Sequence, residues 1–329
     1  MKCLEVVFYM SKLKHRRLAF LSAIVLGVSL TLANSRVILA QSSPQTHPET
    51  LMSQINVFQA IILGIVQGLT EFLPISSTAH LKAIPVLLGW GDPGVAFTAI
   101  IQLGSIAAVL WYFWADLRQI TTGMFFAIQK SDYKCLEFRL GIGILIGTLP
   151  IVFFGFLLKI LVPDLDHSSL RSMGTIAVAS IVMSLLLALA ERVGQRKRKF
   201  ERLRWQDGLL MGLAQSLALI PGVSRSGSTL TAGLFMNLER ATAARFSFLL
   251  GIPAITLAGL VELKDVFDEK VGQSEIVPLV VGVISAAIFS YLAIAWLIRY
   301  LQKQSTWVFV WYRLAFGIAI LAAIALGRL

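Results

Sequence analysis

Apolar residues along this chain come in runs of about twenty, the length a helix needs to cross a bilayer, set apart by short polar or charged stretches. Runs at 94–114, 139–161, 174–190, 244–263, 277–298 and 307–327 each predict a membrane-spanning helix. Two further apolar stretches, 55–89 and 206–237, are interrupted by Pro74 and Pro221. Proline lacks an N–H and pushes the residue before it out of the helical region, so each stretch predicts two short helices joined at a break.

Charge decides which side each segment faces. Residues 191–204, ERVGQRKRKFERLR, carry seven Lys/Arg against two Glu, which places them in the cytoplasm. Residues 115–138, with Arg118, Lys130 and Lys134, read as a polar loop on the same side. The loop with Asp164 and Asp166 falls outside, as does 262–275, where five acids face two lysines. Residues 41–56 contain no Lys or Arg and read as extracytoplasmic. With both ends of 55–89 then outside, that stretch must enter and leave on one side. It is a re-entrant hairpin, tolerated where protein or a watery cavity covers the broken backbone. By the same count 206–237 is a hairpin entering from the cytoplasm. The expected fold is an all-α polytopic membrane protein with an inverted-topology repeat, each half a re-entrant hairpin plus three spans.

The predicted organisation is a signal peptide or extra span at 1–41, a linker at 42–54 and a membrane domain at 55–329. That domain divides into repeat one (55–190), the basic loop 191–205 and repeat two (206–329). In the first segment Lys12, Lys14, Arg16 and Arg17 precede the apolar run Leu18–Ala33, with Ala40-Gln41 as a cleavage point. Ile38 and the polar Asn34-Ser35-Arg36 count against clean cleavage. Within the domain, Gly64-x-x-Gln67-x-Leu69 matches Gly212-x-x-Gln215-x-Leu217 at an offset of 148 residues, and a one-residue slip is expected at the prolines.

Composition agrees: 57% of residues are hydrophobic and 14% charged, against about 25% charged in soluble domains. The net charge of +11 lies in short loops between spans, so nucleic-acid binding is excluded as a function. Cys3 and Cys135 form neither a disulfide framework nor a metal set.

The polar residues inside the broken stretches carry the chemistry, because an ionisable group at membrane depth is expensive and functional by default. Gln67 and Glu71 are four apart and share one helix face. Ser76, Ser77, Thr78 and His80 follow the first break; Ser224, Arg225, Ser226 and Thr229 follow the second. Arg225 suits a phosphate hook, since its guanidinium forks two N–H groups onto an oxyanion and stays charged when desolvated. Ser224, Ser226 and Thr229 suit a cradle at a helix N-terminus; the plainer alternative is an arginine capping a broken helix. Glu71 suits a general base, a leaving-group acid or a cation ligand. For attack on phosphorus two arrangements stay open: Ser77 with His80 as its base, or His80 itself, oriented by Glu71, with Ser77 only binding oxygen. The second is slightly favoured, because imidazole is already nucleophilic at neutral pH. His15, His47 and His167 sit in polar or terminal contexts and carry no site reading.

GLTEFLPISSTAHL (68–81) and PGVSRSGST (221–229) together resemble the two signature motifs of the bacterial undecaprenyl-diphosphatase family, integral membrane phosphatases of the bacitracin-resistance type. The resemblance runs from residue 55 to about 327. It implies hydrolysis of undecaprenyl diphosphate to undecaprenyl phosphate, recycling the lipid carrier of cell-wall synthesis, in the bacterial inner membrane with the site facing the extracytoplasmic side. It implies membrane lipids as surroundings and bacitracin as a competitor for the substrate. It marks Gln67, Glu71, Ser77, His80 and Arg225 as functional, with Ser76, Thr78 and Ser224 in support. The family usually carries glutamate where this chain has Gln67, so a two-carboxylate clamp for a divalent cation (Mg or Ca) is not given. Glu71 and the Gln67 carbonyl remain as cation ligands. A transporter moving polyprenyl phosphate between leaflets is the alternative reading, since inverted repeats suit alternating access; it would need the anion hook but no nucleophile. An intramembrane serine protease would need no arginine, and a type-2 phosphatidic-acid phosphatase would have a histidine after Ser224-Arg225.

Overall fold

The computed structural model describes residues 55–162, 168–268 and 276–327. The expected signal peptide or extra span, the linker, the Asp164/Asp166 pair and residues 269–275 of the acidic loop lie outside them. Among the described residues there are eleven α-helices: α1 Val57–Phe72, α2 Ser77–Leu87, α3 Val95–Tyr112, α4 Trp114–Lys130, α5 Leu136–Leu161, α6 Met173–Val193, α7 Trp205–Ser216, α8 Arg225–Phe235, α9 Arg240–Asp268, α10 Ile276–Lys303 and α11 Trp307–Ala325. Five are long and apolar enough to cross a membrane, and α3 with α4 makes a sixth if the bent pair counts as one span. Their outward faces are apolar: Leu145, Leu149, Phe153 and Phe156 on α5 and Val277, Ile284, Ile288 and Trp296 on α10 are exposed. A band of that kind needs lipid around it.

Both broken stretches fold as expected into helix, break, helix. α1 opens with a capping box, the Asn56 side chain on Gln59 N and the Gln59 side chain on Asn56 N. It stops at Leu73, ahead of Pro74, and α2 starts at Ser77. α7 runs into a 3-10 turn at Leu217–Leu219 and stops ahead of Pro221, and α8 starts at Arg225. The slip expected at the prolines is there: the extended residue ahead of the proline is Leu73 in one break and Ile220 in the other, 147 residues apart. Ser76 (φ 76°, ψ 103°) and Ser224 (φ 71°, ψ 116°), again 148 residues apart, take the same left-handed conformation just before their helices. Between proline and serine the two paths differ, since Gly222 takes φ 92°, which the ring of Pro74 at the matching offset excludes.

The long helices hold the hairpins by backbone contact. Gly64 and Gly68 of α1 lie on α10, where an added Cβ would sit 2.6 Å from the Ala286 carbonyl at Gly68 and 2.8 Å from the Ser285 Cβ at Gly64. Gly208 and Gly212 of α7 lie in the same way on Gly143 and Gly147 of α5, where an added Cβ would sit 2.6 Å from the facing Cα atom. Small residues at i and i+4 let two backbones approach this closely in a membrane.

One loop differs from expectation. Residues 114–130 are a helix, α4, bent 64° from α3, in place of a polar loop. The segment contains no proline, and Thr121 and Thr122 turn their hydroxyls onto carbonyls one turn back, so nothing in it stops a helix. Its buried positions, Ile120 and Ala127, seven residues apart, give it one inward stripe. The basic loop is pinned to its neighbours. Lys197 N and Arg198 N donate to Asn237 O at 3.0 Å, and the Arg198 guanidinium pairs with Asp207. Glu191, 3% exposed, gathers Arg196, Arg240 and Thr306.

Candidate active site where the two breaks meet

Glu71 sits in the last turn of α1, at the first break, and its carboxylate is the hub. Oε2 accepts the Ser77 hydroxyl at 2.7 Å and the Gln67 amide at 3.3 Å, while Oε1 accepts Arg225 Nη2 at 3.2 Å. The ion pair is sheltered, with side-chain exposures of 10% for Arg225 and 9% for Glu71. Gln67 also donates to Ser105 of α3, which in turn receives the Ser290 hydroxyl of α10. The other terminal nitrogen of Arg225, Nη1, is buried without a hydrogen-bond partner. A buried donor of this kind is rare in a folded protein. The guanidinium lies across Gly251 of α9, where any Cβ would overlap Nη1.

The two breaks are tied to each other. Ser226 donates to the Leu73 carbonyl at 3.0 Å, and Arg313 of α11, 1% exposed, reaches both breaks at once. Its Nη1 donates to Pro74 O at 3.1 Å and its Nη2 to Gly222 O at 2.7 Å and Val223 O at 3.0 Å. One guanidinium thus satisfies carbonyls freed at the break of each hairpin. A cleft opens beside this junction, walled by Gln67, Ser77 and Thr78.

A family profile described as "Bacitracin resistance protein BacA" matches residues 60–319, most of the chain and both breaks. The chain belongs to this family. It is similar along nearly its whole length to proteins named undecaprenyl-diphosphatase: 64% identical to one from Synechocystis sp. over 95% of this chain and 98% of the relative. The corresponding protein of Nostoc sp. is 63% identical over 97% and 99%. That of Trichormus variabilis is 71% identical over 84% and 87%.

In this BacA-family chain the predicted residues Gln67, Glu71, Ser77, Thr78 and Arg225 come together. His80 does not join them as expected. Its Nδ1 lies 2.7 Å from the Ser76 carbonyl and its Nε2 2.6 Å from the Tyr312 hydroxyl, with the ring stacked on Phe316 at 4.3 Å between centroids. A carbonyl only accepts, so Nδ1 carries a proton, and in the neutral ring Nε2 accepts from Tyr312. Glu71, expected to orient the imidazole, holds Ser77 instead. Ser76 contributes its strained backbone and its carbonyl. The hydroxyls expected to cradle phosphate are engaged within the protein: Ser224 Oγ accepts Gly227 N at 3.1 Å, Ser226 clasps the first break, and Thr229 pairs with Ser247.

Tyr312 and Arg313 were missed by the sequence reading, although Arg313 is the single charge in an otherwise apolar span. The rule that flagged Glu71 applies to it equally. For a cation, no group of three or more His, Cys, Asp or Glu comes together among the described residues. The oxygens of Glu71 and Gln67 suit a hard cation that arrives with phosphate oxygens of its own; they do not make a cage from protein alone.

Proposed function

We propose that this chain hydrolyses undecaprenyl diphosphate to undecaprenyl phosphate and inorganic phosphate. The observation that carries the reading is the 2.7 Å hydrogen bond from Ser77 to Glu71 with Arg225 on the other carboxylate oxygen. Glu71 is placed to take the serine proton, which makes the hydroxyl a competent nucleophile. Ser77 Oγ bonds to the terminal phosphorus as the bridging P–O bond breaks and undecaprenyl phosphate leaves. Arg225, through Nη1 and the face now on Glu71, stabilises the charge on the transferring group. The proton on Glu71 departs with the product, and Glu71 then deprotonates a water that cleaves the phosphoserine. His80 is a positioning residue in this scheme: held between Ser76 O and Tyr312, it fixes the first turn of α2 and with it Ser77.

A divalent cation, magnesium or calcium, would be held by Glu71 and the Gln67 carbonyl. It would offset substrate charge. We further read the halves 55–190 and 206–329 as inverted copies, supported by the shared offset of the glutamines, the positive-φ serines and the carbonyls on Arg313. The reading places the protein in the bacterial inner membrane with the site on the extracytoplasmic side, in keeping with the basic 191–204 segment at the opposite face.

The test is phosphate release from undecaprenyl diphosphate by purified protein. Wild type should release one phosphate per diphosphate, and Ser77→Ala should fall by about 10³ or more, the scale of losing a nucleophile. Chelation should lower turnover and added magnesium restore it. No release by the wild-type protein would end the proposal.

A further inference from the structure

α3 is apolar along its length except for one stripe. Ahead of the closing Trp111-Tyr112 pair its polar side chains are Thr98, Gln102 and Ser105, spaced four and three residues apart and therefore on one face. Ser105 is fully buried and receives both Gln67 and the Ser290 hydroxyl, which sets its level in the molecule. That level is the floor of the cleft, where Gln67 and Ser77 both donate to Glu71 Oε2. From there the cleft follows α3 towards its N-terminus, with Gln102, Thr98 and the Gly94 cap on its wall. Gln102 is the innermost of the three, one turn or about 4.5 Å along the axis from Ser105.

The two glutamines of the cleft differ in what they touch. Gln67 is occupied by Glu71 and Ser105. Gln102 is half-buried, and its amide makes no hydrogen bond among the described residues. It therefore presents an acceptor oxygen and two N–H donors to whatever fills the cleft above Ser77.

The second half of the reaction needs such a group. Once undecaprenyl phosphate has left, a water must come down the same cleft to reach the phosphoserine. Glu71 takes its proton, but that carboxylate also serves Gln67 and Arg225. A single hydrogen bond leaves a water turning about it. A second partner on the cleft side aims its lone pair at phosphorus. A neutral amide suits this task, since its oxygen accepts from the water and its N–H donates to a phosphoryl oxygen without competing for the proton. Glutamine orients the attacking water in other phosphoryl-transfer sites.

We propose that Gln102 positions the water that cleaves the phosphoserine. The inference rests on the reading of Ser77 as nucleophile and Glu71 as base. The water oxygen bonds to phosphorus as the bond from phosphorus to Ser77 Oγ breaks. One water proton passes through Glu71 to the serine oxygen, its neighbour at 2.7 Å, and the other leaves on inorganic phosphate.

The experiment follows undecaprenyl diphosphate turnover by rapid quench in the purified full-length protein and in Gln102→Leu and Gln102→Ala. A group that acts only after the lipid phosphate has left lowers kcat and KM together and spares kcat/KM. Both variants should lose about 10² in kcat, the scale of a misplaced reactant. KM should fall by the same factor. Undecaprenyl phosphate should appear in a burst of about one per enzyme, and acid-quenched protein should carry phosphate on Ser77. A fall in kcat/KM without a burst would assign Gln102 to substrate binding or to the first step and overturn the proposal. Wild-type kinetics in both variants would overturn it as well. So would a lowered melting temperature with equal loss in both steps, which would make Gln102 structural. Gln102→Ala removes the amide without adding bulk, so it answers even if leucine is not accommodated. Retained turnover in Ser77→Ala would sink the serine reading itself; its loss there, with both Gln102 variants unaffected, sinks only the role of Gln102.

Discussion

Ser76 and Ser224 hold φ values of 76° and 71°, a region that costs a non-glycine residue of order 1–3 kcal/mol. Each stands immediately before a residue of the site, Ser77 and Arg225, so the strain aims the chemistry. The same logic separates two nucleophiles. With Ser77 on Glu71 and both His80 nitrogens engaged elsewhere, phosphoenzyme trapped in acid should be stable and map to Ser77 by mass spectrometry; an acid-labile, base-stable adduct on His80 would reverse the assignment. Arg225→Lys keeps the charge but not the planar set of donors that serves Glu71 and a phosphate together, so kcat/KM should drop by about 10² or more. Near-normal turnover would remove the fork from the scheme. Glu71 and Arg225 were legible from the sequence because charge at membrane depth needs a reason. The part played by His80 was not, because its partner Tyr312 lies 232 positions away and looks like an interfacial aromatic.

At the scale of elements, the prolines announced both breaks, and the twenty-residue periods announced the spans. What they could not announce was α4, since a stretch of mixed polarity with three basic residues reads the same whether it is coil or an amphipathic helix with one narrow buried stripe. Nor did they show that both breaks end on a positive-φ serine at the same 148-residue offset, because Pro74 and Pro221 sit one position apart in that frame. α9 contributes by what it lacks. Gly251 leaves the space that Arg225 fills, and Gly251→Ala should push the guanidinium off Glu71. Activity should fall at least about tenfold while the melting temperature changes little, because the added methyl meets a flexible side-chain end in place of packed backbone. Wild-type kinetics in that variant would mean that Arg225 works equally well from another rotamer.

Across the whole molecule, Arg313 is the point through which both hairpins and α6 are joined, its Nε reaching the Ser180 carbonyl at 3.4 Å besides the three carbonyls at the breaks. Arg313→Met strips the donors from buried carbonyls and should cost about 3–5 kcal/mol, the scale for breaking a buried charged network. Loss of folded protein on mild heating in detergent is the measurement, and an unchanged melting temperature would show that the breaks support themselves.

The glycine seams carry a mechanical consequence. The hairpin of the first half is fastened to α10, which belongs to the second, and the hairpin of the second half to α5, which belongs to the first. The halves therefore hold each other by crossed arms, as swapped segments hold the protomers of a dimer. Neither can swing as a unit without dragging its opposite number's active-site strand of polar residues along, and any hinge between them would have to shear two backbone-on-backbone contacts at once. A chain laced in this way is suited to keeping one reaction centre still while lipid comes and goes around it.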